Sequence, residues 1–343
     1  MKLKTILVGV GGRGRWPVEV MDSDTRFEVV AIVDFSEEFL HRAAQDLGLS
    51  TQQCFRSLEQ ALTDVEAEAI VICTPTCTHG PLSRLAFQFG KHVLVEKGMT
   101  FDWNEAVALV AEAEAAGVKF CVAQNYRYNS VEQTITHLLA DKTNPHHPGD
   151  IAIVDMVHHR YRPEPRTLNY PFATVWDMSC HHVDLLAGWL GAAQRVTAHA
   201  SNPPWSAYEH DANIAAFIEY ESGAVCHYIL THVATLSDYR LLLQGERGVL
   251  RAFDVEGVSF YPRPQSQLGS TTPDSCELIQ VPRSEQGVTN AFLRYIREGV
   301  EPGISGRNNL QTLLVCEMLV RSATQNRSIH RDEVLYGATS VVA

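Results

Sequence analysis

The sequence predicts two domains: an α/β domain with a doubly wound parallel sheet, then a domain with a large open, mostly antiparallel mixed sheet. Its 343 residues exceed one ordinary domain. The first 123 residues alternate short apolar runs with amphipathic stretches, which is typical of parallel strands covered by helices on both faces. From about Arg195 onward, longer alternating runs separated by hairpin-like turns indicate antiparallel strands.

Five short apolar runs are the predicted strands of the first domain. They are Leu3–Val10, Phe27–Val33, Ala69–Cys73, His92–Val95 and Val118–Val122. The amphipathic stretches between them are Ser36–Leu47, Leu58–Leu62, His79–Phe89 and Asp102–Ala116. In the last stretch, Trp103, Val107 and Val110 recur at helical spacing and Gly117 follows, so this stretch is predicted to be a helix that stops there.

The regular alternation of apolar runs and amphipathic stretches ends after Gln124. The predicted domains are therefore residues 1–124 and 125–343. A helix is predicted at about Ser130–Leu139 and a strand at Ile151–Val157. The alternating runs that follow are Ala212–Tyr220, Ala224–His232 and Arg240–Gly245. Two helices close the chain, at about Val288–Arg297 and 308–325. This second half is therefore predicted to be an α+β domain on an open sheet.

Composition excludes some classes of partner. Forty acidic and 28 basic side chains give a net charge of −12, which repels nucleic acid and anionic lipid. No run reaches the roughly 18–20 apolar residues of a membrane span, so no membrane association is expected. The eight cysteines form no C-x-x-C pair, which favours reduced thiols and a cytoplasmic location.

A glycine motif lies between the first strand and the first helix. Gly9, Gly11, Gly12, Arg13 and Gly14 fit the pattern G-x-G-x-x-G. In that pattern the first glycine permits a tight turn, the second lets backbone approach a pyrophosphate, and the third lets helix and strand pack closely. The alternative is a glycine-rich turn that binds nothing. The strand-turn-helix context favours dinucleotide binding, and Arg13 is a candidate to assist the pyrophosphate.

Asp34 ends the second apolar run, 20 residues beyond Gly14. A carboxylate at this place accepts hydrogen bonds from ribose hydroxyls and repels a 2′-phosphate. No arginine stands immediately next to Asp34 to bind that phosphate. The sequence therefore favours NAD over NADP as cofactor.

Two further strand ends carry candidate ligand-binding residues. Thr74 and Pro75 follow the strand at Ala69–Cys73, where open α/β sheets bind ligands. Glu96 and Lys97 close the next strand, and charges at the end of a buried strand need a cleft or a partner. The alternative for this acid-base pair is a solvated strand end.

These runs resemble the glucose-fructose oxidoreductase/inositol dehydrogenase/MocA family. The similar segments are Cys73-Thr-Pro-Thr with His79, Gly90-Lys-His-Val-Leu-Val-Glu-Lys97, Asp177-Met-Ser-Cys-His181-His-Val-Asp184, and the helix that follows Ser305. The chain departs from the family pattern at Gly98, where proline is usual and often in a cis bond, and at Ser179, where glycine is usual. The resemblance touches both halves and nearly the whole chain.

The resemblance implies hydride transfer between a nicotinamide cofactor and a carbon bearing a hydroxyl or carbonyl group. The substrate would be a sugar, an inositol or a related polyol. His181 would be the acid/base, Lys97 would polarise the substrate oxygen, and Asp177 would orient the substrate or His181. On a regular helix Asp177, His181 and Asp184 would share one face. The resemblance adds Thr74, Pro75, His79, Glu96 and Lys97 to the predicted cofactor-binding residues.

Five residues of the second domain are further candidates for substrate binding: Tyr126, Arg127, His159, Arg160 and Trp176. The alternatives are packing at the domain junction for Tyr126 and Arg127, and a solvated strand end for His159 and Arg160. No metal is predicted, because the 15 histidines include adjacent pairs with diverging side chains but no zinc-binding pattern.

Other functions stay open at this level. One branch of the family represses transcription, so a catalytically silent sensor of NAD or another ligand is an alternative. Another alternative is an enzyme that cleaves glycosides while NAD stores a hydride transiently. The retention of both Lys97 and His181 favours a dehydrogenase over the sensor. A homodimer or homotetramer is implied by the resemblance alone.

Overall fold

The computed structural model describes residues 1–162, 164, 170–253, 257–264 and 271–337. The chain divides into two compact units. The first comprises Met1–Asn125 with Pro282–Leu310, and the second comprises Tyr126–Val281 with Gln311–Ala343. Among the described residues, no helix is both long and apolar enough to cross a lipid bilayer.

The first unit is built on a parallel sheet of six strands. They are β1 (Leu3–Val8), β2 (Phe27–Val33), β3 (Cys54–Phe55), β4 (Ala69–Ile72), β5 (His92–Val95) and β6 (Phe120–Val122). Their spatial order is β3-β2-β1-β4-β5-β6, and every neighbouring pair is parallel. Successive strands are added on one side of β1 up to β3 and on its other side from β4 onward. This order makes the sheet doubly wound, with its switch point between β1 and β4. The predicted fold is confirmed; β3 was missed because two residues carry no periodic signal.

Helices cross over between these strands: α1 (Arg15–Ser23), α2 (Glu37–Leu47), α3 (Leu58–Asp64), α4 (His79–Gln88) and α5 (Trp103–Ala115). Local signals fix several of their ends. Ser36 caps α2 by accepting a hydrogen bond from the Phe39 amide, and Asp102 caps α5 by accepting one from the Glu105 amide. Gly48 ends α2 with a φ of 64°, a left-handed conformation that suits glycine.

The second unit is built on a mixed sheet of nine described strands. They are β7 (Ile151–Tyr161), β8 (Ala193–Ser201), β9 (Asn213–Tyr220), β10 (Val225–Thr231), β11 (Val233–Gly245), β12 (Gly248–Phe253), β13 (Val258–Pro262), β14 (Asp274–Cys276) and β15 (Ile329–His330). Their order is β14-β13-β12-β11-β7-β10-β9-β8-β15. Only the central pair β7 and β10 runs parallel among these described strands. The predicted mostly antiparallel mixed sheet is confirmed.

One face of this second sheet is packed and the other is open. On β10, Cys226, Tyr228 and Leu230 are buried, whereas Ile229 between them is exposed. The helices of the unit include α6 (Ser130–Ala140) and α7 (Cys180–Leu190). Tyr228 contacts His182 of α7, so α7 lies on the packed face. The period of two along the strand therefore separates the core from the open face.

Three helices lie in the last part of the chain: α8 (Ser284–Glu298), α9 (Gly306–Gln325) and α10 (Arg331–Leu335). The predicted division places all of 125–343 in one domain, whereas the contacts group residues 282–310 with the first unit. Arg297 of α8 pairs with Glu68, 3.0 Å from nitrogen to oxygen, and Val122 of β6 donates its amide to the Ile304 carbonyl at 2.8 Å. Such long-range packing leaves no periodic signal in the sequence.

Glu132 in α6 is a carboxylic acid inside the core of the second unit. The residue is only 4% exposed. Burial raises the pKa of Glu132 from 4.5 to about 7, and a hydrogen bond from Asn129 only partly opposes this effect. The folded chain thus holds a proton that the unfolded chain releases at lower pH.

We expect Glu132→Gln to change how stability depends on pH. A raised folded-state pKa gives stability that is complete below about pH 4.5 and is lost as the pH rises through 7. Relative to the variant, the wild type should lose about 3 kcal/mol of unfolding free energy over that range, measured by urea denaturation. The exposed Glu28→Gln is the control. A difference between wild type and Glu132→Gln that is equal at pH 4 and pH 8 would contradict the assignment.

Candidate functional site

The glycine loop of the first unit has the geometry that its motif predicts at two of its glycines. Gly9 follows β1 with a φ of 78°, and a Cβ on Gly14 would lie 1.9 Å from the Gly9 carbonyl oxygen. Side chains are therefore excluded at both positions. A Cβ on Gly11 would instead meet the Phe39 ring at 2.1 Å. The loop leads through a 3₁₀ turn at Gly12–Gly14 directly into α1.

Asp34 follows β2 and faces this loop through hydrogen bonds. Its Oδ2 accepts the Val10 amide at 2.9 Å, and its Oδ1 accepts the Ser36 amide at 2.9 Å. The residue is 8% exposed. Two backbone donors thus fix the carboxylate, and each oxygen keeps capacity for a hydroxyl donor.

Glu96 connects the end of β5 to the glycine loop. It is 4% exposed, and its Oε1 accepts hydrogen bonds from Arg13 Nε at 2.7 Å and Trp16 Nε1 at 3.1 Å. Its Oε2 accepts the Lys97 amide at 2.7 Å. The guanidinium of Arg13 also lies 3.3 Å from a carboxylate oxygen of Glu285. Arg13 is thereby held by two carboxylates of its own unit.

His79 connects the ends of β4 and β5. Its Nε2 lies 2.8 Å from the Thr74 carbonyl oxygen and its Nδ1 lies 2.8 Å from the Gly98 carbonyl oxygen. Burial lowers the pKa of His79, an effect that the two carbonyls oppose. The Lys97–Gly98 peptide bond is cis. The histidine therefore fixes the loop that carries Lys97 relative to the loop that carries Thr74 and Pro75.

These residues collect at one edge of a parallel sheet. The glycine loop, Asp34, Thr74 and the Glu96–Lys97 pair follow β1, β2, β4 and β5 in turn, and the carboxyl ends of parallel strands share an edge. At this edge the glycine loop leaves the start of the helical segment free of bulky side chains. The carboxylate of Asp34 is fixed beside the loop by the Val10 amide. Such a set of groups fits the pyrophosphate and ribose of a dinucleotide.

In the second unit, the segment that carries Asp177 and His181 is not one regular helix. Val175–Ser179 form a π-helical turn, and α7 begins only at Cys180. Asp177 therefore lies in the wider turn, whereas His181 and Asp184 both belong to α7, three positions apart. Asp177 pairs with Arg162, while the His181 ring stacks on Tyr126 with 4.3 Å between centroids and 10° between planes.

Asp184 is bonded to protein side chains. Its carboxylate is buried and accepts Arg127 Nε at 2.5 Å and Thr312 Oγ1 at 2.8 Å. Arg127 Nη2 also donates to the Asp184 carbonyl at 2.9 Å. The donors of Arg127, a predicted substrate residue, are thus directed at α7. Because Tyr126 precedes Arg127, this ion pair holds the ring that stacks on His181.

The remaining predicted residues of the second unit lie at two places. His159 and Arg160 are half-buried at the end of β7, with His159 Nδ1 at 4.0 Å from Asp238 Oδ2. Trp176 is buried in the π-helical turn. The structure adds a hydrogen bond between His158 and His182 that sequence reasoning missed. The adjacent histidine pairs were visible, but only the fold shows which member of each pair faces the other.

The fold and this strand edge define a dinucleotide-binding protein, and comparison with known families identifies it as an oxidoreductase. Residues 3–124 match the model of an oxidoreductase family described as an NAD-binding Rossmann fold. Residues 149–330 match the C-terminal alpha/beta domain of the same family. The chain belongs to the glucose-fructose oxidoreductase/inositol dehydrogenase/MocA family, and the predicted resemblance is confirmed. It is an oxidoreductase that acts on CH–OH groups, as the sequence predicts.

Individual relatives are distant but nearly full-length. The chain is 24% identical to D-apiose dehydrogenase of Paraburkholderia graminis, over 96% of this chain and 89% of the relative. It is also 24% identical to inositol 2-dehydrogenase of Rhizobium meliloti, over 96% of this chain and 99% of the relative. A crystal structure of an oxidoreductase from Agrobacterium radiobacter, in complex with NAD+, L-tartaric acid and magnesium, has a TM-score of 0.84. It shares 16% identity over 97% of this chain and all of that chain, which shows a common fold.

Proposed function

We propose that this oxidoreductase transfers a hydride between NAD and a secondary alcohol or ketone carbon of a sugar, an inositol or a related polyol. The observation that supports this most is the position of Lys97. It lies two residues after the end of β5, and its amide is bonded through Glu96 to the glycine loop, so a cation stands where open α/β sheets bind ligands. The names of the apiose and inositol dehydrogenases support the substrate class.

When NAD is bound, its nicotinamide ring supplies the hydride acceptor. Oxidation of an alcohol also requires a base that takes the hydroxyl proton as the hydride leaves. His181 has this role in the proposal, since an imidazole exchanges protons near neutral pH. Lys97 donates a hydrogen bond to the same substrate oxygen and stabilises its developing negative charge. Asp177 orients the substrate or His181. Reduction of a ketone uses the same groups in reverse.

The proposal of NAD over NADP rests on Asp34. Its carboxylate is fixed by the amides of Val10 and Ser36 and is placed to accept hydrogen bonds from ribose hydroxyls. A 2′-phosphate there would face a buried negative charge. This repulsion favours the cofactor without the phosphate.

A homodimer or homotetramer and a cytoplasmic location also belong to the proposal. The open face of the second sheet exposes Ile153, Phe217 and Ile229 on three neighbouring strands. The hydrogen-bonded pair Asp155 and His227 lies among them, and exposed apolar side chains on an open sheet face are typical of association sites. All eight cysteines are free thiols, which suits a reducing compartment.

Substitutions of Lys97 and His181 test the mechanism. We expect Lys97→Met and His181→Ala each to lower turnover by about two to four orders of magnitude, while NAD affinity stays within about threefold. NADH formation across a panel of sugars and polyols gives turnover, and quenching of intrinsic fluorescence gives affinity. Lys91→Met, at the opposite end of β5, and the exposed His199→Ala are the matched controls. Near-normal turnover in either variant would remove that residue from the mechanism.

The same panel separates the alternatives. NAD binding without reduction on any compound would favour a ligand sensor. Net cleavage of a glycoside without accumulation of NADH would favour the transient use of the hydride. Each result would replace the dehydrogenase proposal.

Asp34→Ala tests the cofactor preference. Removal of the carboxylate should weaken NAD binding about tenfold and bring the affinities for NAD and NADP closer together, since one charged acceptor and one repulsion disappear. Calorimetric titration with both cofactors measures the ratio. Asp46→Ala, a half-exposed carboxylate at the end of α2, is the control. An unchanged ratio of affinities would exclude Asp34 from ribose recognition.

The oligomeric state can be measured by sedimentation velocity. We expect the wild type to sediment as a dimer or tetramer and Phe217→Asp to shift it toward the monomer, because a charge on an apolar contact is costly to bury. Trp205→Asp changes a more exposed aromatic residue outside the strands and serves as the control. A monomeric wild type would refute the association.

A further inference from the structure

Four side chains of the second unit form a hydrogen-bonded chain that starts at a backbone carbonyl. Ser179 Oγ donates to the Thr174 carbonyl at 3.2 Å, and Tyr228 Oη donates to Ser179 Oγ at 2.9 Å. His182 Nδ1 lies 2.7 Å from Tyr228 Oη, and His182 Nε2 lies 3.1 Å from His158 Nδ1. Ser179, His182 and Tyr228 are almost completely buried, so water does not compete for these bonds.

The carbonyl at its start gives this chain a direction. Ser179 Oγ donates its single proton to the Thr174 carbonyl, so the Ser179 oxygen accepts from Tyr228. The Tyr228 oxygen then accepts from His182 Nδ1, which therefore carries the proton. Neutral His182 consequently has a lone pair on Nε2 and accepts from Nδ1–H of His158. Neutral His158 is left with a lone pair on its own Nε2.

The surroundings keep both imidazoles neutral. Burial lowers the pKa of His158 to about 3, and electrostatic repulsion from the Arg160 and Arg162 guanidinium groups acts in the same direction. Burial also lowers the pKa of His182. A neutral ring with a fixed tautomer has one donor and one acceptor at known atoms. The direction of the hydrogen-bonded chain therefore determines whether His158 Nε2 donates or accepts a hydrogen bond.

His158 lies beside candidate substrate-binding residues of the second unit. It is half-buried at the end of β7, immediately before the candidate residues His159 and Arg160. Its ring is 5.1 Å from that of His182, and His182 is the neighbour of His181. Because Nδ1 is directed at His182, Nε2 on the other side of the ring is directed away from it.

We propose that Ser179 sets the direction of this chain and that His158 thereby selects a hydroxyl group on the substrate, which donates a hydrogen bond to Nε2. The inference deepens the proposed function and rests on it for the identity of the substrate class. A carbonyl or ether oxygen at that position would face a lone pair and be rejected. Ser179 stands where the family pattern usually has glycine, so this selection is a property of this chain's own sequence.

The tautomers can be measured without substrate or cofactor. In protein labelled with ¹⁵N at histidine, long-range ¹H–¹⁵N correlation spectra distinguish the protonated from the unprotonated ring nitrogen. We expect His158 and His182 to be protonated at Nδ1 only, with no titration between pH 8 and pH 5. His158→Phe assigns the first set of signals by its loss. A proton on Nε2 of His158 in the wild type would overturn the proposal.

Ser179→Gly removes the group that sets the direction. Tyr228 can then donate to His182, and both histidines should shift toward the Nε2–H form. Tyr228→Phe should have the same effect and covers the case in which Ser179→Gly does not fold. Tyr220→Phe is the matched control, since it removes a buried hydroxyl from a neighbouring strand on the same packed face. Spectra of both Ser179→Gly and Tyr228→Phe that match the wild type would also overturn the proposal.

A kinetic measurement tests the contact with substrate. For whichever polyol of the panel is turned over, His158→Phe should raise KM about tenfold or more and change kcat less than threefold, because the bond is made before and during the reaction. An unchanged KM would exclude the contact. If no polyol is turned over, the proposed function fails while the tautomer spectra still decide the direction of the chain.

Discussion

The buried carboxylate of Glu96 is the interaction on which the candidate site of the first unit depends. Its two oxygens accept from Arg13 and Trp16 on one side and from the Lys97 amide on the other. A buried carboxylate without such donors would cost several kcal/mol, so the glycine loop and the end of β5 are fixed together. The position of Lys97 follows from this pairing.

The second unit uses the same physical device at Asp184. Arg127 and Thr312 satisfy its buried carboxylate from outside α7, and the neighbour of Arg127 supplies the ring that stacks on His181. Charged groups in both units therefore serve to position residues that carry the proposed chemistry. They need not touch a ligand to affect it.

Buried polar groups in the second unit also carry directional information. A chain of hydroxyls and imidazoles has two possible directions in isolation, and an acceptor-only carbonyl at its start removes one of them. Exclusion of water makes the remaining direction stable. The difference between serine and glycine at position 179 can therefore change a property of His158, several bonds away, without changing the fold.

The sequence by itself determined the fold class, the glycine loop, Asp34, the Glu96–Lys97 strand end and the family, because each depends on local periodicity or on residues close together in the chain. Only the tertiary structure decided that Asp177 lies in a π-helical turn and pairs with Arg162, that Arg127 is directed at Asp184, and that residues 282–310 pack with the first unit. It also joined Ser179 to Tyr228, 49 positions apart. Such contacts form where distant segments meet in a core, and the burial of polar groups selects their partners after the chain has folded.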